Sequence, residues 1–361
     1  MKILLITCLI LLVILCYPLL ASEDKYGAEF LNQMVSAEGG GMGESLTSYS
    51  IGSRSMNNNP AGLSFSKGNE LFIGSYRTPH VVAIIMKENG KIWEDFGKYD
   101  VKPAETEYIN YLLPRSKLGS LGLSFAFNHS GRFIRVNEEG TAINAFPQND
   151  MLIGIGYSLN LNKGIAVGFD FKSLRSKIPT DNGNKIGRTY VMNVGLMHQV
   201  SDRVRIGASL QNIGNKLSFK ESDISGKLRR NFILGAIYKV KDSKKSKLSV
   251  SMDVNPPFED GLRYKTGIEL LYAQCLAIRA GYMRDTQPYD DALLNLNDSS
   301  SVYEKRVWVR EGITLGVGIK LKNAEINLAR TPHREPSLND GEKLRLEKQE
   351  SVTSFSFIAR F

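Results

Sequence analysis

The sequence predicts an all-β protein: a closed antiparallel transmembrane β-barrel of about 14 strands with an N-terminal hatch in the lumen. Three observations predict it. The chain opens on an export signal, its later segments alternate with period two, and the connections between those segments alternate between short and long.

The signal comes first. Met1 and Lys2 precede an unbroken apolar run from Ile3 to Cys16, which relaxes through Tyr17, Pro18 and Leu20 into Ala21, Ser22 and Glu23. This reads as a secretory signal over residues 1–22, cleaved near Ala21 or Ser22. A retained anchoring helix would need roughly 20 apolar residues, and Pro18 interrupts the run before that. A lipid-attached Cys16 is disfavoured by bulky Ile14 and Leu15 just before it. Of the three cysteines, Cys8 and Cys16 leave with the signal, so Cys275 is alone and no intrachain disulfide forms. The formal charge of +9 becomes +8 without Lys2. No nucleic-acid motif accompanies this excess, and its clusters fall in turns; it suits solvated loops or anionic lipid headgroups and polysaccharide better than nucleic acid.

After residue 22 no apolar run is long enough for a spanning helix, so the mature chain can cross a membrane only as strands, and from Leu118 onward it falls into alternating segments of about ten residues. Leu121, Leu123, Phe125 and Phe127 share one face; Ser120, Gly122, Ser124 and Ala126 share the other. The same alternation sets Ile153, Ile155 and Leu159 against Gly154, Gly156 and Ser158, and Phe169 and Phe171 against Gly168, Asp170 and Lys172. It recurs for Val204, Ile206, Ala208 and Leu210 against Arg205, Gly207, Ser209 and Gln211, and for Leu315, Val317 and Ile319 against Gly316, Gly318 and Lys320. A soluble sandwich would carry a richly charged outer face. Here the second face is small, which suits a filled lumen facing inward and lipid facing outward.

Strands placed at 69–76, 104–114, 118–128, 150–161, 164–174, 188–200, 203–213, 229–241, 246–255, 263–273, 276–284, 311–321, 324–330 and 351–361 leave short turns and long loops in strict alternation, with both barrel ends on the short-turn, periplasmic side. The long loops include 175–187 and 285–310, and residues 80–86 read equally well as strand or loop. The last strand ends on aromatic Phe361, a terminus that outer-membrane insertion machinery reads. Residues 23–66 do not alternate; they are rich in Gly and turn signals, unsuited to lipid, and carry too many Met, Leu and Ile for a solvated tail. They are read as a hatch, and residues 67–361 as the barrel.

Here the chain resembles the FadL-like superfamily, which includes long-chain fatty-acid transporters and PorV-type proteins of a secretion apparatus. The resemblance rests on GGGMG at 39–43 and NPAGL at 59–63, with echoes in SLQNIG at 209–214 and LAIRAGY at 276–282. It implies a hatch built on Gly41, Met42, Gly43, Asn59, Pro60, Ala61 and Gly62, where Pro60 fixes its own φ and biases Asn59 toward an extended conformation. Between the two motifs, Ser and Tyr residues stand where an acidic pair is common in the family.

No triad or metal-ligand spacing is legible, and no cofactor is implied. Two functions follow from the resemblance. In the first the barrel passively takes up long-chain fatty acids or other hydrophobic molecules, with Arg205 and Arg279 on the inward face as candidates for a ligand carboxylate; the alternative for both is pairing with lumen acids such as Asp170, Asp253 or Glu269. In the second it is a scaffold that holds a secreted protein. A continuous apolar pocket above the hatch favours the first, and a lumen of paired charges favours the second.

Overall fold

A computed structural model describes residues 26–33, 36–66, 68–78, 87–88, 91–92, 104–129, 133–136, 142–146, 149–162, 164–180, 183–220, 225–256, 262–289, 306–332, 335–336 and 351–361. The signal segment and residues 80–86 lie outside them.

Fourteen strands form the wall: β1 (Glu70–Thr78), β2 (Ala104–Leu112), β3 (Ser120–His129), β4 (Asn149–Asn162), β5 (Ile165–Thr180), β6 (Gly183–Gln199), β7 (Val204–Gly214), β8 (Asn231–Asp242), β9 (Ser246–Asn255), β10 (Arg263–Tyr272), β11 (Leu276–Tyr289), β12 (Arg306–Lys320), β13 (Ala324–Thr331) and β14 (Val352–Arg360). Each pairs antiparallel with its neighbour in sequence, and β14 returns to β1, with Glu70 opposite Arg360 and Arg77 opposite Thr353. The closed ladder leaves no strand edge to lipid, as a bilayer requires of backbone N–H and C=O groups.

The period of two sets what each face meets. Along β3, Ser120, Gly122, Ser124 and Ala126 are buried, while Leu123, Phe125 and Phe127 point out. The outer face carries Ile153, Ile155, Phe169, Phe171, Met252, Ile268, Leu315, Val317 and Ile319, all exposed. In water such a surface would associate; against acyl chains it is at home. Outward charges such as Arg175, Arg188, Arg284 and Glu311 sit toward the strand ends.

Short connections fall at 113–119, 163–164, 200–203, 243–245, 273–275 and 321–323, on the side where the two ends of the wall meet. The opposite side carries the longer ones, with one correction. The expected loop over 175–187 is mostly strand: β5 and β6 run on as a hairpin paired up to Thr180 and Gly183. Likewise β11 and β12 stay paired to Tyr289 and Arg306, inside the expected 285–310 loop. Above the lipid the outward positions no longer need to be apolar, so the sequence pattern fades while the ladder continues.

The depth of the belt predicts a graded penalty. Leu315→Arg, far from either rim, should reduce the stability of the barrel refolded in vesicles by about 2–4 kcal/mol, and Leu321→Arg, at a turn, by about 1 kcal/mol or less; denaturant titrations of both variants measure it.

Candidate functional site

The N-terminal chain enters the lumen from the long-loop side. Tyr26–Gly27 pairs parallel with Lys227 and Leu228, a 3-10 turn follows over Glu29–Asn32, and residues 36–66 fill the barrel below. In that hatch, helix α1 (Ala37–Gly41) is capped by Ser36, whose Oγ accepts from Gly39 N, and two 3-10 turns occupy Gly52–Asn57 and Pro60–Phe65. All are too short to stand alone, so their backbone groups must find partners on the wall.

The wall admits them because its inward positions at this level are glycine. A Cβ at Gly122 would lie 2.6 Å from Met56 Sδ, and one at Gly41 of the hatch would lie 2.8 Å from Gly316 Cα. Cβ atoms at Gly168, Gly195, Gly267 and Gly281 would overlap Pro60, Asn59, Met42 and Gly43. Gly43 itself has φ +63 and lies against the Thr266 and Tyr282 backbone, so both conformation and space demand glycine. Its N–H donates to Thr314 Oγ1 (3.0 Å), and that hydroxyl donates to Gly41 O (3.2 Å). Met42 is fully buried in a cluster with Leu46, Tyr49, Tyr76, Ile237 and Val352.

Asn59 explains the second motif. It is extended (φ −142, ψ 99), as the residue before Pro60 should be, and its Oδ1 accepts from Ala61 N at 3.2 Å to cap the following turn. Its Nδ2 donates to Thr47 O (2.9 Å), Leu196 O (3.1 Å) and Ala208 O (3.4 Å), which ties the turn to another part of the hatch and to β6 and β7. Ala61 packs with Ala166 and Met197, and a Cβ on Gly62 would lie 2.5 Å from Ser50 O.

Charge fastens the hatch twice. Toward the short turns, Glu38 pairs with Arg54, and this pair joins Glu325, Arg279, Glu269, Lys320, Arg360 and Glu70 in one network. Four acids meet four cations, so the network is neutral, which is what makes its burial tolerable. Higher up, Glu44 pairs with Arg310 (2.7 Å) and Lys265 (3.0 Å). Burial raises the Glu44 pKa, but the Arg310 and Lys265 charges lower it further, and the net shift is downward.

Of the two candidate ligand cations, Arg279 is 1 % exposed; its Nε meets Glu269 at 2.8 Å, and its other nitrogens meet Asn327 (2.7 Å) and Glu325 (3.4 Å). Arg205 donates to Ser48 O (2.6 Å) and Tyr49 O (3.2 Å) and lies 5.6 Å from the Phe65 ring centre. Arg205 therefore holds the hatch to the wall, whereas Arg279 is occupied by wall residues of β10 and β13.

Above the hatch, the lumen face of β2–β5 is banded. One row of register neighbours is polar: Thr106, Asn128, Asp150 and Ser176. The next row toward the hatch is Tyr108, Ala126, Leu152 and Leu174, which with Val191, Leu217, Phe219 and Leu228 forms an apolar chamber. Phe30 fills it, 3 % exposed, and Tyr108 Oη donates to Phe30 O (3.3 Å). Beside it, Asn32 Oδ1 accepts from Asn212 (2.9 Å) and Asn231 (2.6 Å). The facing side is polar: a cavity of about 50 Å³, room for a few waters, is lined by Asn57, Asp253, Asn255, Arg263 and Lys265 among others. Sequence reading missed this division into an apolar and a polar half. The register of β2–β5 carried the signal.

Two substitutions test the seat and the upper fastening. Gly195→Val should leave the barrel closed but unseat Asn59, at a cost of about 1–3 kcal/mol, and should show protease cleavage within residues 36–66. Glu44→Gln strands buried Arg310 and half-buried Lys265 and should lower hatch stability by about 3–5 kcal/mol near neutral pH. Because the Glu44 pKa is lowered on folding, that difference is full above the ordinary glutamate pKa of about 4.3 and vanishes as pH falls through the folded value. Hydrogen exchange of residues 36–66 against pH reads it.

No protein-family model matches the chain, and no curated protein matches it in sequence. Solved structures match over about nine-tenths of its length. The toluene transporter TodX of P. putida superimposes with a TM-score of 0.57 at 13% identity, covering 94% of this chain and 99% of TodX. The CymD monoaromatic hydrocarbon channel gives 0.55 at 13%, covering 91% and 97%. A Pseudomonas aeruginosa FadL homologue gives 0.51 at 11%, covering 91% and 98%. In fold, the chain is a FadL-like barrel with a hatch in its lumen.

Proposed function

We propose that the protein is a non-enzymatic outer-membrane channel for passive uptake of hydrophobic small molecules, long-chain fatty acids among them. The observation that carries this reading is the apolar row Tyr108, Ala126, Leu152 and Leu174 with Phe30 seated on it, opposite a polar wall. A lumen divided in this way suits an amphipathic molecule, with its tail on β2–β5 and its head toward Lys265 and Arg263. The structural likeness to TodX, CymD and the FadL homologue supports the same direction.

Arg205 and Arg279 enter this reading late. A carboxylate reaches Arg205 only after the Ser48 and Tyr49 carbonyls leave it, and Arg279 only after Glu269 and Glu325 do. Their part is in passage through the hatch level, after capture above it. The scaffold reading draws support from a different observation, the eight paired charges that fix the hatch.

One experiment separates them. Binding of a radiolabelled long-chain fatty acid and of toluene is measured on the purified barrel, then on Leu152→Glu, Leu174→Glu and Arg205→Gln. A channel predicts saturable binding that falls at least about tenfold in the two Glu variants, the loss expected from charging an apolar contact worth about 1.5–3 kcal/mol, and that Arg205→Gln leaves nearly unchanged while slowing uptake into vesicles. Absence of binding to the unaltered protein would promote the scaffold.

A further inference from the structure

The short-turn rim carries far more cations than acids, most of them on one arc. The four successive turns that join β6 to β7, β8 to β9, β10 to β11 and β12 to β13, with the strand ends of the second, carry Arg203, Lys239, Lys241, Lys244, Lys245, Lys247 and Lys322 against Asp202 and Asp242, seven cations to two acids. Asp242 is shared by Lys239 (3.8 Å) and Lys247 (3.6 Å). Lys241, Lys244, Lys245 and Lys322 have no ion-pair partner among the described residues.

These turns are stitched together rather than loose. Lys239 N donates to Arg203 O (2.9 Å), Ala273 N to Lys245 O (2.8 Å), and Lys320 N to Cys275 O (2.7 Å). Gln274 Nε2 bridges to Ser243 O (3.3 Å) and Lys244 O (3.0 Å), and Ser243 Oγ closes the turn on Ser246 O (2.8 Å). A fixed backbone that concentrates like charge on one arc holds a standing repulsion, which an anionic surface relieves.

Depth selects the kind of surface. Tyr238, Val240, Tyr272, Leu276 and Leu321 are outward and exposed within a few residues of the lysines, so the hydrocarbon belt runs up to the turns themselves. With about 3.3 Å of rise per residue along tilted strands, the ammonium groups stand at headgroup height and beside interfacial tyrosines, where phosphates are met before any soluble protein.

We propose that this arc, from the β6–β7 turn to the β12–β13 turn, is a binding surface for anionic phospholipid headgroups of the periplasmic leaflet. It requires only that the strands cross a bilayer, and is independent of what the lumen carries.

The test uses the full-length barrel in phosphatidylcholine nanodiscs with spin-labelled phosphatidylglycerol or spin-labelled phosphatidylcholine. The unaltered protein should retain phosphatidylglycerol at least about fivefold better, an advantage of the size a single well-placed lysine gives, and high salt should erase it. The combined K241Q, K244Q, K245Q and K247Q variant should lose the preference, while R115Q with K117Q, on another turn of the same rim, should keep it. The pair K244Q and K245Q, confined to the turn tip, should lose part of it and keeps the test open if the larger variant does not fold. Full competition by millimolar inorganic phosphate would show a free-anion site and overturn the proposal. Equal retention of the two lipids would overturn it as well and leave the arc to an acidic protein, as would a preference that survives all four glutamines.

Discussion

The structure depends on a close approach of two backbones. A hatch of short turns inside a barrel has more peptide groups than its own hydrogen bonds can satisfy. The groups are satisfied by the wall, and this needs wall positions without side chains. Gly43 reaches Thr314 and Asn59 reaches Leu196 O and Ala208 O because the strands present glycine to the hatch backbone. Asp253 adds a carboxylate oxygen that accepts from Leu46 N and Thr47 N, both at 2.8 Å. The glycines weaken the strands that carry them; the hatch restores rigidity from inside.

That seat governs where charge can go. Glycine thins the lining at the hatch level, and the ion pairs that fasten the hatch gather on either side of it: the neutral set around Arg279 and Glu325 toward the short turns, and Glu44 with Arg310 and Lys265 toward the long ones. The first joins strands of the wall to the hatch pair Glu38 and Arg54, and the second joins them to the single hatch carboxylate Glu44. Removing one partner leaves others buried and unpaired, so the fastenings are cooperative.

The barrel was legible because lipid imposes a strict alternation on every strand, and turn signals punctuate it. Legibility ended where that constraint ended. The part of the β5–β6 hairpin over 175–187 carries Arg175 and Asn184 outward, and without an apolar face it reads as a loop. The motifs single out Asn59 and Gly43, but the wall atoms that each of them bonds lie more than 130 residues away in sequence. The small residues of the inner face read as lumen lining, whereas the glycines among them are the seat itself. For Arg279 the alternative reading, pairing with a lumen acid such as Glu269, is what the structure shows: a turn centred on Gln274 sets residues five before and five after it opposite each other, so Glu269 faces Arg279 in register. The pairing that occupies Arg279 was therefore implicit in the hairpin.

Different strengths of fastening order the ways in which the lumen can open. The hatch proper is held by buried ion pairs, whose rupture costs about 3–5 kcal/mol each. The segment at 28–33 above it is held by neutral hydrogen bonds from Tyr108, Thr106, Asn212 and Asn231 and by burial of Phe30. Each such bond contributes about 0.5–1.5 kcal/mol, and an apolar molecule that takes the place of Phe30 restores the burial it displaces. The closed ladder of β1 to β14 prevents the wall from giving way first. The cheapest motion is therefore withdrawal of residues 28–33 toward the long loops, with the hatch still seated; anything that enters the chamber meets the Glu44 fastening next, and only then the neutral network below.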